Sequence, residues 1–341
     1  MANQLAATTH ALPMTTSRFS FAIRSVLRRA WSVTPGVAAL AASALLCAAP
    51  SYAADLPVLK VGDQALQTRG ILEASGQLKD LPYKIEWFNF PAAQPLGEAL
   101  NAGAVDVGGL GDAPLVFALA AGARVRAVAA TRSNPLDLAI VVGAQSPLND
   151  AASLKGKRIA TTRGSIGHYL ALAALKKANV PLTDVTFVFL APADAKAALA
   201  SGSVDAWSVW DPYTALGEAR DHDRIIANGV GLSEGLSYQV ATERAITDKR
   251  EQLADFLRRV AIGQRWALSH PDEVAAMQSR VTGLPTDVLK TVYQRGQVHP
   301  VVIDDSVVAA QQRTADTYEA ANVIRAHLDV RPSFDRSFPL P

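Results

Sequence analysis

Three turns in the sequence combine glycine, serine, aspartate and proline in the order that starts a helix. They are residues 109–114 (GLGDAP), 161–168 (TTRGSIGH) and 207–213 (WSVWDPY). Each places a helix-capping residue, Asp or Ser, after an apolar run, and two add proline within the first turn. Backbone N–H groups without an intrahelical partner, together with the positive end of the helix dipole, bind anions. We therefore predict a site for a small anion at these turns, although each turn alone is also typical of an ordinary helix start.

Apolar runs alternate with helical patterns along the chain, which predicts an α/β protein with mixed, mostly parallel sheets. The order strand, helix, strand, helix, short strand occurs twice, and residues 101–106 (NAGAVD) and 200–205 (ASGSVD) make the repeat explicit. Two similar lobes are therefore expected. In open α/β sheets, ligands bind at the carboxyl ends of the strands, so the three turns are predicted to face one cleft between the lobes.

The predicted division of the chain follows from this repeat. We assign residues 55–145 and 241–341 to the first lobe and residues 146–240 to the second. Strands are predicted at 58–61, 85–88, 105–108, 125–130, 138–142, 158–161, 185–189 and 204–210, and helices near 70–75, 95–101, 113–121, 165–178, 193–200, 250–269, 272–281, 285–295 and 305–326. The chain would cross between the lobes near residues 143–150 and 235–245, and such a double crossing permits hinge closure around a ligand.

The first 54 residues differ in composition from the rest of the chain. They contain four arginines, no Asp or Glu, and an apolar run at 37–49 that leads to Ser51-Tyr52-Ala53. This combination is typical of a cleaved secretory signal peptide, because the apolar run is shorter than the roughly 20 residues that span a membrane. We therefore expect residues 1–54 to direct export to the periplasm, by a route that Arg28-Arg29 leaves open between the general and twin-arginine pathways.

Charge and cysteine content exclude several functions. The chain has 33 Lys and Arg against 31 Asp and Glu, and the four leader arginines more than account for this excess. A nucleic-acid-binding protein would carry a strong basic excess. The single cysteine, Cys47, lies in the predicted leader, so the mature chain is expected to have no disulfide, thiolate metal site or cysteine nucleophile. We expect no nucleic acid, metal ion or other cofactor among its partners.

Two segments carry a resemblance to a known family. Residues 205–213 (DAWSVWDPY) and 191–198 (APADAKAA) resemble the aliphatic-sulfonate-binding proteins of bacterial ABC importers, within the wider nitrate, sulfonate and taurine group. The same family is matched by residues 98–103, 111–114, 150–157 and 309–316. The resemblance implies a periplasmic binding protein of type II that holds an organosulfonate anion in its interlobe cleft. Such a protein delivers its cargo as a monomer to a membrane permease and is not an enzyme.

The resemblance also implies which residues line the pocket. Carried over by position, they are Gln64, Gly111, Asp112, Ala113, Ser165, Ile166, Gly167, His168, Trp210, Asp211 and Leu236. A sulfonate has three acceptor oxygens and no proton near neutral pH, so Gln64, the Ser165 hydroxyl and backbone N–H groups at the helix starts would be its donors. Trp210 would pack against the apolar tail, and Trp207, on the opposite strand face, is expected in the core. His168, in the first turn of a helix, is expected to act as a neutral hydrogen-bond donor rather than as a cation.

The sequence departs from the family pattern around this pocket. Leu110 and residues 166–167 stand where the family has hydroxyl-bearing residues, and Asp63 stands where it has tyrosine. Fewer hydroxyls and more apolar surface favour a bulkier organic group. An inward-pointing Asp63 would instead favour an amine-bearing ligand such as taurine, and Arg163 or Arg132 could reach the anion.

Other functions fit the same residues less well. Taurine, a sulfate ester, nitrate, bicarbonate and a thiamine-precursor pyrimidine are alternative cargoes, although the two tryptophans disfavour small inorganic ions. An enzyme would need a nucleophile, but residues 163–167 (RGSIG) have arginine in place of the first glycine of a nucleophile elbow. Asp221-His222-Asp223 is more typical of a solvated loop than of a metal site. A transcription factor with this fold would begin with a helix-turn-helix instead of a leader.

Overall fold

Helices and strands alternate along the described part of the computed structural model, which comprises residues 56–64 and 67–339; the predicted signal peptide lies outside it. The strands are β1 Val58–Gln64, β2 Lys84–Phe90, β3 Val107–Gly111, β4 Val125–Arg132, β5 Leu138–Val142, β6 Arg158–Thr161, β7 Thr186–Phe189, β8 Ala206–Trp210, β9 Arg224–Asn228, β10 Leu236–Thr242 and β11 His299–Val301. The helices are α1 Gln67–Ala74, α2 Ala93–Asn101, α3 Asp112–Ala120, α4 Ile166–Lys177, α5 Pro192–Ala200, α6 Tyr213–Leu216, α7 Glu243–Asp248, α8 Arg250–Ser269, α9 Pro271–Thr282, α10 Thr286–Gly296 and α11 Asp305–Ala320. The predicted α/β class is confirmed.

The strands form two separate mixed sheets. The first has the order β11-β4-β10-β3-β1-β2, in which β1 is parallel to β2 and β3, whereas β10 is antiparallel to β3 and β4. The second has the order β7-β6-β8-β5-β9, in which β6 is parallel to β7 and β8, whereas β5 is antiparallel to β8 and β9. Each sheet is thus the centre of one lobe and collects the carboxyl ends of its parallel strands at one edge.

The chain crosses between the sheets earlier than predicted. Leu138–Val142, assigned from the sequence to the first lobe, pairs with β8 in the second sheet, and Leu236–Thr242 belongs entirely to the first sheet. The crossings are therefore residues 133–137 and 229–235. All five side chains of β5 are buried, and a strand that is apolar on both faces suits the centre of either sheet. Its sequence alone therefore carries no signal of which sheet it joins.

Local signals for helix ends were more informative than those for sheet membership. Helices α2 and α3 are followed by Gly103 (φ 67°) and Gly122 (φ 83°), in the left-handed conformation that ends many helices. The last long helix ends at Ala320 rather than near residue 326, and β9, β10 and the short β11 were not predicted.

No helix among the described residues combines the length and apolar character needed to cross a membrane.

The two cores meet along α4. On one side of this helix, Leu170 and Leu175 pack into the second lobe, whereas Tyr169 and Leu172 join the core of the first. Because both lobes cover α4, it is apolar on more than one face. Trp207 is 2% exposed and packs in the second lobe, as predicted.

Candidate functional site

Four strands end at the edge where ligands bind in open α/β sheets. In the first lobe, β1 ends at Gln64 and β3 at Gly111, and in the second lobe β6 ends at Thr161 and β8 at Trp210. Gln64 links the first pair, since its Nε2 donates to the carbonyl oxygen of Gly109 over 2.7 Å. An amide nitrogen carries two hydrogens, so Gln64 keeps one donor for a ligand.

Asp112, the first residue of α3, connects this helix to α11. Its carboxylate accepts from the N–H of Ala113 over 2.7 Å and from the Thr314 hydroxyl over 3.3 Å, and its carbonyl oxygen accepts from Gln311 Nε2 over 2.8 Å. Burial raises the pKa of the Asp112 carboxyl to about 6. Since the side chain is committed to these partners, Asp112 offers an anion its backbone N–H, next to the extended backbone of Gly111.

The start of α4 is the part of the structure best suited to an anion. Ser165 caps the helix, and its Oγ accepts from the N–H of His168 over 3.2 Å. Gly164, just before the cap, has a φ of 73°, which favours glycine. The first N–H groups of a helix have no intrahelical acceptor. Those of Ile166 and Gly167 therefore point out of the helix start, at the positive end of its dipole.

Gly167 allows α4 to lie directly against β8. A Cβ atom at this position would be 2.5 Å from the carbonyl oxygen of Ser208. The Ser208 hydroxyl donates to the Gly167 carbonyl over 2.6 Å, and the Ser208 carbonyl accepts from Thr161 Oγ1 over 3.0 Å. Position 167 faces the sheet, so a side chain there would meet β8 rather than a ligand. Ile166 is partly buried against the core of the second lobe.

His168 is buried in an aromatic environment and supports the turn before α4. It is 1% exposed, and its Nδ1 accepts from the N–H of Gly164 over 3.2 Å. The rings of Phe187 and Phe189 meet it edge-on at 5.3 Å and 5.1 Å between centroids. Burial, with a smaller effect of Arg163, lowers the pKa of His168 to about 4. The predicted neutral state is confirmed, and Nδ1 is already used within the protein.

Trp210 and Asp211 end β8 close to a residue that the sequence analysis missed. Trp210 is partly buried and packs edge-on against Tyr213, with 6.1 Å between the ring centroids. Asp211 Oδ1 accepts from the N–H of Ala215 over 2.9 Å and lies 3.7 Å from Arg295 Nη1, whereas Oδ2 is buried without a hydrogen-bond partner among the described residues. Burial raises the pKa of Asp211 to about 6, although Arg295 opposes this effect. No local signal in the sequence connects α10 with β8.

Two of the predicted pocket residues are buried in the core of the first lobe. Ala113 is 0% exposed and Leu236 is 1% exposed. Their side chains are therefore enclosed by the first lobe, and only their backbone atoms remain to face a ligand.

The charged residues considered for the pocket have other partners. Asp63 is 2% exposed and accepts two backbone N–H groups at the start of α1, over 3.0 Å and 2.9 Å. Arg163 stacks over the ring of Phe189, 3.8 Å from its centroid. Arg132 pairs with Glu234 over 3.3 Å. The argument for an amine-bearing ligand through Asp63 therefore loses its basis.

The lobes contact each other beside the helix starts. Phe117 of α3 lies against Gly164, where an added Cβ would be 2.9 Å from the ring. Tyr318 of α11 donates its hydroxyl hydrogen to the carbonyl oxygen of Ser165 over 2.9 Å. The start of α4 is thus fixed from the first lobe by aromatic residues on two helices.

Two cavities lie elsewhere between or beside the lobes. One of about 590 Å³ separates α4 from α11 and the second crossing, and one of about 430 Å³ lies beside the end of α4. The larger is lined by Tyr169, Lys176, Gly231, Leu232, Ser233, Glu234, Ala310, Arg313, Thr314, Asp316 and Thr317. Neither is lined by a residue predicted to bind the ligand.

Among residues 56–64 and 67–339, Asp316, Glu319 and His327 bring possible metal-ligand atoms within 4.8 Å of one another. Asp316 and His327 are exposed, and His327 Nδ1 lies 3.0 Å from Glu319 Oε2. This geometry is that of a surface ion pair, and it lies apart from the helix starts.

Two α/β lobes joined by two crossings, with the start of α4 in contact with the first lobe, define the class of two-lobed solute-binding proteins. The chain belongs to the NMT1/THI5-like family, whose model matches residues 91–274. It is similar to the putative aliphatic sulfonates-binding protein of Escherichia coli (strain K12), with 32% identity over 80% of this chain and 87% of that protein.

Further comparisons agree with this membership. The alkanesulfonate-binding protein SsuA from Xanthomonas axonopodis pv. citri, solved bound to MOPS, is 32% identical, with a TM-score of 0.76 over 84% of this chain and 100% of that chain. The taurine-binding periplasmic protein of Escherichia coli (strain K12) is 26% identical over 68% of this chain and 72% of that protein. The family resemblance and the type II binding-protein fold predicted from the sequence are confirmed.

Proposed function

We propose that the protein is the periplasmic solute-binding component of an ABC importer and that its cargo is an organic sulfonate. The observation that carries this proposal is the start of α4, where Ser165 caps the helix and leaves the N–H groups of Ile166 and Gly167 for an anion. The 32% identity to two proteins named for sulfonate binding, over more than two thirds of the chain, supports the same class of cargo.

The donors at this edge suit a sulfonate. The group has three acceptor oxygens, and Gln64 Nε2 and the backbone N–H groups of Asp112, Ile166 and Gly167 provide donors from both lobes. A hydrogen bond to a charged group contributes about 1.5 to 3 kcal/mol. Three or four of them, less the cost of ordering, would give about −8 kcal/mol, which is micromolar affinity. Neutral dipoles also hold the anion without an ion pair that must break on release.

Trp210 supports an organic ligand over inorganic sulfate. Its partly buried ring lies at the end of β8, beside Tyr213, where it would cover the apolar tail of a sulfonate. The fourth oxygen of sulfate would lie against this ring without a hydrogen-bond donor, and burying an unpaired polar atom is costly. Taurine is also less favourable, because its ammonium group needs a carboxylate and Asp63 is committed to the start of α1.

The cargo would be delivered unchanged, by a monomer, to a membrane permease. His168 is the residue near the helix starts best suited by type to act as a base, but its Nδ1 accepts from Gly164 and burial lowers its pKa to about 4. A function in transport rather than catalysis is favoured for this reason. Incubation with organosulfonates, followed by product analysis, tests it, and detectable turnover would contradict it.

Calorimetric titration with methanesulfonate, hexanesulfonate, benzenesulfonate, taurine and sulfate tests the cargo. We expect one-to-one binding of the sulfonates, tighter for those with larger apolar groups, and weaker binding of taurine and sulfate. Ser165→Ala should weaken every sulfonate, because it removes the cap that orients the helix start. Thr242→Ala removes an equivalent cap from α7, where Thr242 Oγ1 accepts from Ala245, and should leave binding unchanged. Equal affinity for sulfate and hexanesulfonate would refute the proposal.

A further inference from the structure

One arginine of the first lobe is enclosed by acidic residues of the second. Arg295 lies near the end of α10, and its side chain is 16% exposed. Its Nη2 is 2.6 Å from Glu218 Oε2, and its Nη1 is 3.7 Å from Asp211 Oδ1. Glu218 belongs to a turn of π-helix, Gly217–Asp221, that directly follows α6. The guanidinium group is therefore a largely buried point at which α10 is paired with the second lobe.

The backbone connects the same place to the first crossing. The N–H of Asn134 donates to the carbonyl oxygen of Gly296, the last residue of α10, over 2.7 Å. The N–H of Asp211 donates to the carbonyl oxygen of Asp137, at the other end of that crossing, over 2.8 Å. Arg295 thus lies where α10, the crossing and the end of β8 meet. A motion that takes the second lobe away from α10 must break the contact between Arg295 and Glu218.

On the other side, α10 is held by the first lobe alone. Tyr293 packs with Ile71, Trp266 and Met277, which belong to α1, α8 and α9. A shift of the second lobe would therefore leave α10 in place. The distance from Arg295 to its acidic partners would then increase as the second lobe moves away from the first.

A second ion pair spans the same two elements but is more exposed. Arg220 Nη2 lies 2.8 Å from Asp287 Oδ1, with side chains 42% and 65% exposed. Exposed pairs contribute little, about 0 to 1 kcal/mol. Charge pairs largely removed from water are costlier to break, and truncating one partner acts mainly on dissociation rates. Of the two ion pairs, loss of the Arg295–Glu218 pair should therefore have the larger effect on the dissociation rate.

We propose that Arg295 is an interlobe latch, a positioning residue that holds the second lobe against α10 and thereby sets how long a ligand stays bound. It acts through Glu218 and Asp211 and does not touch the ligand. The inference rests on the proposed sulfonate binding for its kinetic measurement only, because closure of the lobes can also be measured without ligand.

Arg295→Gln, Glu218→Gln and the double variant test the latch. Stopped-flow tryptophan fluorescence gives the dissociation rate of bound hexanesulfonate, and small-angle X-ray scattering gives the radius of gyration with and without ligand. We expect each single change to accelerate dissociation about tenfold, with no further change in the double variant, because both remove the same pair. The association rate should change little, and Arg295→Lys should restore part of the lost residence time.

Matched controls separate the latch from general effects of charge. Arg336→Gln removes a pair with Asp305 that lies within the first lobe, and Arg220→Gln removes the exposed interlobe pair. Both should leave dissociation within about twofold of wild type. If Arg295→Gln does not fold, Glu218→Gln still tests the latch, since its side chain is 34% exposed.

Several outcomes would overturn the latch. Unchanged dissociation in folded Arg295→Gln would do so, as would a large effect of Arg295→Gln beside no effect of Glu218→Gln, which would indicate direct contact between Arg295 and the anion. If the wild-type protein binds no sulfonate, the proposed cargo is wrong, but small-angle X-ray scattering without ligand still tests the latch. The latch requires a larger radius of gyration for Arg295→Gln and Glu218→Gln than for wild type without ligand, and identical scattering for all three contradicts it.

Discussion

The hydroxyl of Tyr318 donates to the carbonyl oxygen of Ser165 over 2.9 Å and so joins the last long helix of the first lobe to the cap of α4 in the second. Tyr318 is 0% exposed. Its ring meets Phe117 edge-on at 5.1 Å and lies 5.6 Å from the ring of His168. The ring fills space between the lobes, and the hydroxyl gives the Ser165 carbonyl a second donor beside the N–H of Tyr169.

Tyr318→Phe is expected to lower the free energy of unfolding by about 0.5 to 1.5 kcal/mol, because it removes one of the two donors to the buried Ser165 carbonyl, which keeps the N–H of Tyr169 at 3.1 Å. Urea denaturation followed by tryptophan fluorescence measures the change. Tyr238→Phe is the matched control: Tyr238 is 1% exposed, and its hydroxyl is buried without a hydrogen-bond partner among the described residues. That change should be neutral or stabilising. Equal losses for the two variants would show that the contact with Ser165 contributes nothing.

Gly167→Ala is expected to move α4 away from β8, because the new Cβ would meet the Ser208 carbonyl oxygen at 2.5 Å. The cost should be about 1 to 3 kcal/mol of folding free energy, and sulfonate affinity should fall because the N–H groups at positions 166 and 167 shift with the helix. Thermal unfolding and calorimetry measure the two effects. Gly143→Ala, where a Cβ meets nothing within 4 Å, should change neither, and wild-type affinity in Gly167→Ala would rule out this helix start as the binding site.

The sequence predicted one of the three helix caps, Ser165, because its signals are local, whereas Gly111 rather than Asp112 caps α3 and Pro212 rather than Asp211 precedes α6. An apolar run, a capping residue and a glycine or proline lie within a few positions of one another, and this is enough to place Ser165 at the start of α4. The neutral state of His168 was predicted for a similarly local reason, its position in the first helical turn.

The features that were missed depend on partners distant in the chain. The five residues of β5 are apolar on both faces, and only pairing with β8 assigns them to the second lobe. Arg295 is one of many charged residues in a helical pattern, and nothing nearby distinguishes it from Arg280 or Arg313. Its proximity to Asp211 and Glu218 follows from how α10 returns to the first lobe, so it is visible only in the folded chain.

Three buried carboxyl groups predict how stability changes with pH. Burial raises the pKa of Asp137 to about 7 and those of Asp112 and Asp211 to about 6. A carboxyl with a higher pKa in the folded than in the unfolded chain binds its proton more tightly when folded. Its contribution to stability is therefore present at low pH and lost as the pH rises through the folded pKa. We expect the free energy of unfolding to fall as the pH rises from about 4, near the ordinary carboxyl pKa of 3.8, to about 7.

Asp137→Asn tests this sign, because it removes the group with the highest of the three pKa values. The variant should be more stable than wild type at about pH 8, by roughly 1 to 3 kcal/mol, and nearly unchanged at about pH 3, below the ordinary carboxyl pKa of 3.8. Denaturant titrations at both pH values give the comparison. Asp194→Asn, on an exposed position of α5, should follow wild type throughout. A loss of stability at pH 8 would mean that attraction to Arg295 outweighs burial at Asp137.

Trp210 should determine how affinity depends on the size of the sulfonate. Burying one methylene group contributes about 0.8 kcal/mol, so affinity for wild type should rise with each carbon from methanesulfonate to hexanesulfonate as long as the tail lies against the ring. Trp210→Ala removes that surface, so the increments should shrink while the affinity for methanesulfonate, held by the helix starts, stays within a few fold. Trp210→Phe keeps an aromatic wall and should retain most of the dependence. If calorimetry instead finds the same loss for every chain length, Trp210 acts on the fold or on the anion, and the tail lies elsewhere.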